Sequence, residues 1–166
     1  LKQKFIGNKK LMGFIRKHSE EAYPKAIGYL RQEGLLDDVS YALVDSGWVG
    51  TLQQTIRHLT QKERIDGFYF GLYEIPKDEN PGMYHGFYFD PLRGLDRKSY
   101  FSNCLFEAVF TAPEGMTVGY ECQNERYIPI TDMEENPNKQ IILENIELLK
   151  SYMSSIENYD IKGSVT

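Results

Sequence analysis

The sequence predicts an α/β domain: a short, mainly parallel sheet with helices on both faces, Rossmann-like, plus an antiparallel hairpin. Two observations predict it. The apolar run Tyr41-Ala42-Leu43-Val44 leads into a glycine-bearing turn, an amphipathic helix and then a second apolar stretch, Ile65 to Tyr73. A strand–helix–strand order of this kind crosses over into a parallel pair. The 166 residues are 41% hydrophobic and 13% aromatic, and a chain of this length buries about 70% of its unfolded surface in one core.

The elements follow in order. In residues 8–33, Leu11, Met12 and Ile15, then Tyr23, Ile27 and Leu30, recur at helical spacing. Pro24 suits the first turn of a helix and Gly34 the position after its last, so two helices are expected, with a joint between His18 and Tyr23. Residues 40–45 read as a strand buried on both faces. Thr51 is expected to cap a helix with Leu52, Ile56 and Leu59 on one face, its last turn bearing Arg57, His58 and Lys62. Ile65 to Tyr73 is a second strand, residues 75–82 a loop and Met83 to Phe89 a shorter third strand. Residues 99–111 read as helical around Leu105, Phe106, Val109 and Phe110. Thr117 to Ile130 reads as a hairpin turning near Gln123-Asn124. Asn136 and Pro137 open a final helix whose Ile142, Ile146, Leu149, Met153 and Ile156 form one stripe. With three strands before the hairpin and Leu1 at the start instead of Met, residues 1–166 are expected to be one α/β domain from the C-terminal part of a larger protein.

Charge and composition exclude some functions. A net charge of -5 argues against a nucleic-acid phosphate binder, which needs a basic face. No apolar run reaches the length of a transmembrane helix, and no leader pattern opens the chain. Two cysteines, Cys104 and Cys122, are too few for a disulfide framework and are expected to be reduced core fillers. The expected compartment is the cytoplasm. His18, His58 and His85 show no helical partner or cysteine spacing, so no zinc site is predicted.

The stretch Asp45-Ser46-Gly47-Trp48-Val49-Gly50-Thr51-Leu52-Gln53 carries the chemical signal. An Asp at the carboxyl end of a buried strand, followed by a glycine turn and a helix start, is how open α/β sheets build ligand sites. The helix start offers unpaired N–H groups and a positive dipole end to an anion. Gly47 and Gly50 permit close approach, Thr51 adds a hydroxyl donor, and Ser46 and Gln53 are counted among the ligand contacts. Asp45 is suited to take a sugar hydroxyl, a magnesium-bound water or a proton, and Trp48 to stack on a ring. A purely structural role for the turn remains open beside this reading. The segment lacks the Gly-Lys-Thr of a Walker loop and the third glycine of the dinucleotide fingerprint. It loosely resembles the phosphoribosyltransferase pattern, with Ser46 where the second acid stands, and that resemblance implies a magnesium-dependent pyrophosphate-sugar site.

The same residues, Val44-Asp45-Ser46-Gly47-Trp48-Val49-Gly50-Thr51-Leu52-Gln53, resemble a signature of Val-Asp-x-Gly-Trp-x-Gly-(Thr/Ser)-x-Gln. That signature belongs to the C-terminal region of large bacterial proteins, predicted haloacid dehalogenase-like hydrolases encoded beside surface-polysaccharide genes. Gly67-Phe68-Tyr69-Phe70-Gly71-Leu72, Leu105-Phe106-Glu107, Phe110 to Gly115 and Val118-Gly119-Tyr120 resemble the family's later segments. The resemblance spans roughly residues 25–130. It implies a hydrolase module N-terminal to this region, whose catalytic aspartates have no counterpart here. It also keeps Glu107 as a candidate acid or base among apolar neighbours. The ligand expected is a phosphorylated sugar or nucleotide sugar. The alternatives are a non-catalytic module docking on the N-terminal domain or on a glycosyltransferase, and a degenerate phosphoribosyltransferase-like enzyme. The aromatic trios Phe68-Tyr69-Phe70 and Phe87-Tyr88-Phe89 read as core filler, or as sugar platforms beside such a site.

Overall fold

The computed structural model describes residues 6–132 and 136–157. It has mixed α/β architecture: a short three-stranded parallel sheet, helices, and a separate antiparallel pair of strands. The described chain forms two compact units, residues 6–100 with 117–132, and residues 101–116 with 136–157.

The first unit begins with one helix, α1 (Lys9–Gln32), where two were expected. Its N-terminus is capped by Asn8, whose side-chain oxygen accepts the Leu11 amide at 3.1 Å. Pro24 lies inside it. A proline there removes the bond to the carbonyl four residues back, but residues 12–25 are all exposed, so water can serve the freed Glu20 carbonyl. The C-terminal half is anchored instead. Gly28 is buried beneath the ring of Tyr127, and the Gln32 amide pairs with the Tyr127 backbone through bonds of 3.0 and 2.7 Å. Tyr29 stacks on Tyr120 at 4.5 Å. α1 therefore packs on the hairpin of β4 (Thr117–Gln123) and β5 (Arg126–Thr131). The hairpin turns through Asn124 and Glu125, both at positive φ, as a two-residue hairpin turn requires.

The sheet comprises β1 (Ala42–Asp45), β2 (Asp66–Gly71) and β3 (Tyr84–Phe89), all parallel, in that order. Helix α2 (Thr51–Thr60) connects β1 to β2. Residues 72–83, ending in a 3₁₀ turn at Pro81–Met83, connect β2 to β3 without an α-helix. Leu43, Asp45, Gly67, Tyr69 and Tyr84 share the face under α2 by register. The core there is Tyr69, Leu72, Met83 and Tyr84, with Ile75 against it.

The opposite face departs from the expectation of a strand buried on both sides and helices on both faces. Val44 is 89% and Phe87 82% exposed, and Phe68 beside Val44 is also exposed. Strict alternation from Tyr84 would send Phe89 outward as well. A register irregularity between Tyr69 and Gly71 pairs Gly71 with Phe89, and Phe89 is buried at 1% exposure. Its ring lies over Gly71, where an added Cβ would stand 2.6 Å from it.

The second unit holds α3 (Asn103–Val109), capped by Ser102, and α4 (Lys139–Glu157). Of the expected α4 stripe, Ile142 is buried and Met153 exposed. Cys104 and Cys122 are both exposed, not core fillers. The tendency of a free cysteine to be buried is overridden at these two positions, which lie on a short helix and a two-stranded hairpin. No helix of the described residues is long and apolar enough to cross a membrane.

Candidate functional site

The 45–53 turn sits at the carboxyl end of β1, where Asp45 is the last strand residue. Its Oδ1 accepts the Gly47 N–H at 2.7 Å, a turn the side chain closes on its own backbone. Asp45, Gly47, Trp48 and Val49 are half-buried and Gly50 is buried, while Ser46 and Thr51 are exposed, so the turn meets solvent chiefly at those two positions. The Trp48 ring lies 6.1 Å from that of Tyr73, and the Trp48 carbonyl accepts the Tyr73 amide at 2.8 Å.

Thr51 does not cap α2. The cap is Gly50, with φ 64 and ψ 11, and it offers no side-chain bond. This left-handed backbone is what glycine tolerates best. The first intrahelical bond runs from the Gln54 amide to the Gly50 carbonyl at 3.2 Å, and a helix start leaves its earlier amides without intrahelical acceptors. Of the expected apolar stripe on α2, Leu52 is exposed while Ile56 and Leu59 are half-buried, and the residue that is fully buried is Gln53.

Gln53 was expected among the ligand contacts, and the structure commits it to the core. It is 1% exposed. Its Nε2 donates to the Ile65 carbonyl at 2.8 Å and the Met83 carbonyl at 2.9 Å, and its Oε1 accepts the Tyr69 hydroxyl at 2.6 Å. Burial foremost, then the negative charge of Asp45, pushes the Tyr69 hydroxyl up. A buried amide is worth retaining only when its hydrogen bonds are met, and here one side chain joins α2, β2 and the start of β3.

Glu107 lies on α3 in the second unit and is exposed, so its apolar sequence neighbours do not enclose the carboxylate. The packed side of that unit's aromatic cluster is Phe106, whose ring lies 5.7 Å from Phe101 and 4.5 Å from Phe110.

Sequence reasoning missed a carboxylate. Glu79, in the β2–β3 connection, has a side chain 2% exposed. Arg57 of α2 grips it with two bonds, Nη2 to Oε1 at 2.6 Å and Nε to Oε2 at 3.2 Å. The Tyr84 hydroxyl donates to Oε2 at 3.1 Å, and Gln54 also bonds it. Burial pushes the Glu79 carboxyl up, but these bonds and the Arg57 charge outweigh it and hold the group below the usual range. In the sequence, Glu79 stands among Asp78, Asn80 and Pro81 and reads as plain loop.

Two further acids serve the sheet. Asp66, at the amino end of β2, accepts two Arg64 bonds of 2.6 Å and faces His85 Nε2 at 2.8 Å. Arg64 first, then His85, lowers its pKa to about 2. Asp90, at the carboxyl end of β3, is buried and accepts the Leu92 and Arg93 amides, each at 2.9 Å, and Arg93 Nε at 3.0 Å. Among the described residues no group of three or more His, Cys, Asp and Glu stands placed to hold a metal ion.

The fold is that of a mixed α/β chain with a strand–turn–helix connection at the carboxyl edge of a short parallel sheet. No protein-family model matches the chain, and no curated protein matches it.

Proposed function

We propose that this chain is a ligand-binding domain that holds the phosphate of a phosphorylated sugar or nucleotide sugar at the turn from Asp45 to Thr51. The observation that carries the reading is the start of α2: a left-handed glycine cap with no side-chain bond, flanked by exposed Ser46 and Thr51. Such a start attracts an anion. Gly47, Gly50 and Thr51 grip the phosphate, Asp45 orients a ligand hydroxyl or a magnesium-bound water, and Trp48 faces the ring. Resemblance adds a setting, a bacterial hydrolase-like protein of surface-polysaccharide synthesis, and the strand–helix–strand order fits a Rossmann-like sheet. Asp45 is the acid or base at the turn, and Gln53, buried in the core, is not among the ligand contacts.

A thermal-shift screen against sugar phosphates and nucleotide sugars, repeated with Asp45→Asn and with magnesium, tests this. The reading stands if a ligand raises the melting temperature of the wild type and less so that of the variant. It falls if no compound shifts either. A response confined to pyrophosphate-sugars with magnesium would instead favour the phosphoribosyltransferase-like alternative.

A second reading, a non-catalytic interaction module, draws on the exposure of Val44, Phe68 and Phe87 along one sheet face. Parallel sheets are covered on both faces in folded proteins. The occupant it requires is the N-terminal hydrolase module that the resemblance implies. Hydrogen exchange of β1 and β2 amides, slower in a chain that includes that module than in this one, is the outcome that supports it.

A further inference from the structure

We propose that Tyr84, held by Glu79 and Arg57, is a positioning residue that sets the backbone of the Gly50 turn. As a statement about the anion site, this rests on the reading above.

The argument starts at Gly50. A Cβ there would stand 2.5 Å from Tyr84 Cε1 and 2.9 Å from Cδ1, so the Cδ1–Cε1 edge of the ring lies against the cap of α2. Gly50 itself is buried. The ring in turn is fixed at its far end, where its hydroxyl meets Glu79 Oε2 at 3.1 Å. Glu79 is fixed by Arg57, two turns further along the helix that Gly50 begins. The network thus closes a loop: cap, ring, carboxylate, guanidinium, and back along α2 to the cap.

A partly buried ion pair of this kind contributes little net stability, because the cost of desolvating its charges offsets their attraction, and apolar replacements are often as stable. What it does supply is geometry. The bidentate Arg57–Glu79 pair has one good arrangement, and that arrangement places the Tyr84 hydroxyl and therefore the ring. Asp45 shapes the turn from its first residue, and Tyr84 shapes it from its last.

The test compares the full chain with Tyr84→Phe and Glu79→Gln, using sulfate as the probe because its charge is constant near neutral pH. Tyr84→Phe retains the ring and deletes one oxygen, so any movement of the Gly50 and Thr51 amide resonances reports the backbone and not a lost ring current. The expected result is that both variants move these two resonances and leave those of the β4–β5 hairpin in place. Sulfate affinity is expected to fall about fivefold, the factor that one net hydrogen bond carries. Arg57→Lys is expected to stay nearer the wild type than Arg57→Met, a rescue that loss of packing alone would not produce. Unmoved resonances overturn the proposal, as does unchanged affinity in variants of a wild type that binds sulfate. If the wild type binds no sulfate, the anion reading falls, and the two resonances alone decide the positioning role.

Discussion

Gln53 and Gly67 share one site in the core: the Gln53 amide lies where a side chain at position 67 would begin. A Cβ added to Gly67 would collide with Gln53 Oε1 and would stand 2.6 Å from its Cδ. The absent side chain of a β2 residue is what admits a polar side chain from α2, and that side chain then serves the Ile65 and Met83 carbonyls and the Tyr69 hydroxyl.

Gly67→Ala is therefore expected to destabilise the chain by about 2–4 kcal/mol, since it overpacks the site and displaces buried hydrogen bonds. Gln53→Ala costs a similar amount by leaving three polar groups unmet. The double variant is expected to cost less than the sum, because the truncated side chain makes room for the new methyl. Urea unfolding of the four proteins measures the coupling, and strict additivity would contradict the shared site.

Gly50→Asn separates backbone strain from crowding. Asparagine tolerates left-handed φ better than other non-glycine residues, but any side chain here meets the Tyr84 ring. A loss of about 1–3 kcal/mol is expected even with asparagine. Near-neutral behaviour would show that the ring yields freely.

The Asp66 carboxyl should titrate at about 2 in the native protein, against an ordinary 3.8. A depressed folded pKa contributes stability above the unfolded value, and that contribution is lost as pH falls from the ordinary value through the folded one. The stability of the wild type should therefore fall with acid between about pH 4 and pH 2. Arg64→Met removes the largest cause and should move the Asp66 midpoint upward in a carboxyl NMR titration, with a shallower loss of stability in the same window. An unmoved midpoint would show that Arg64 is not its cause.

Phe87 and Phe89 lie two residues apart on β3 and should behave oppositely. Phe89→Ala removes a ring that is 1% exposed and should cost about 3–5 kcal/mol. Phe87→Ser alters one that is 82% exposed and should stay within about 0.5 kcal/mol of wild type. Equal losses in denaturant unfolding would refute the register shift.

Both cysteines are exposed, so the native protein should react with a thiol reagent at two sites per chain, without denaturant. Reaction at fewer sites before unfolding would place a thiol in a core.

Much of the architecture is legible in the sequence, because local pattern decides it. The apolar run at Tyr41 to Val44, the glycine turn, the amphipathic stretch after Thr51 and the turn residues near Asn124 specify strands, a helix and a hairpin from propensity and periodicity alone. The parallel order of β1 and β2 follows from the helix between them. The candidate turn is legible for the same reason, since glycine and aspartate act on their own backbone.

Partnership between distant residues is not written locally, and only the tertiary structure decides it. Pro24 signals a helix start by local rule, yet an anchored C-terminal half and a solvated middle carry the helix through it. Gln53 looks like a ligand contact until Gly67, fourteen residues on, opens the core to it. Glu79 looks like a loop acid until Arg57 and Tyr84 enclose it. Phe87 and Phe89 alternate identically in sequence, and one register shift, set by packing on Gly71, sends them to opposite faces. A single side chain's chemistry is intrinsic, but its burial and its hydrogen-bond partners depend on where the whole chain brings other residues.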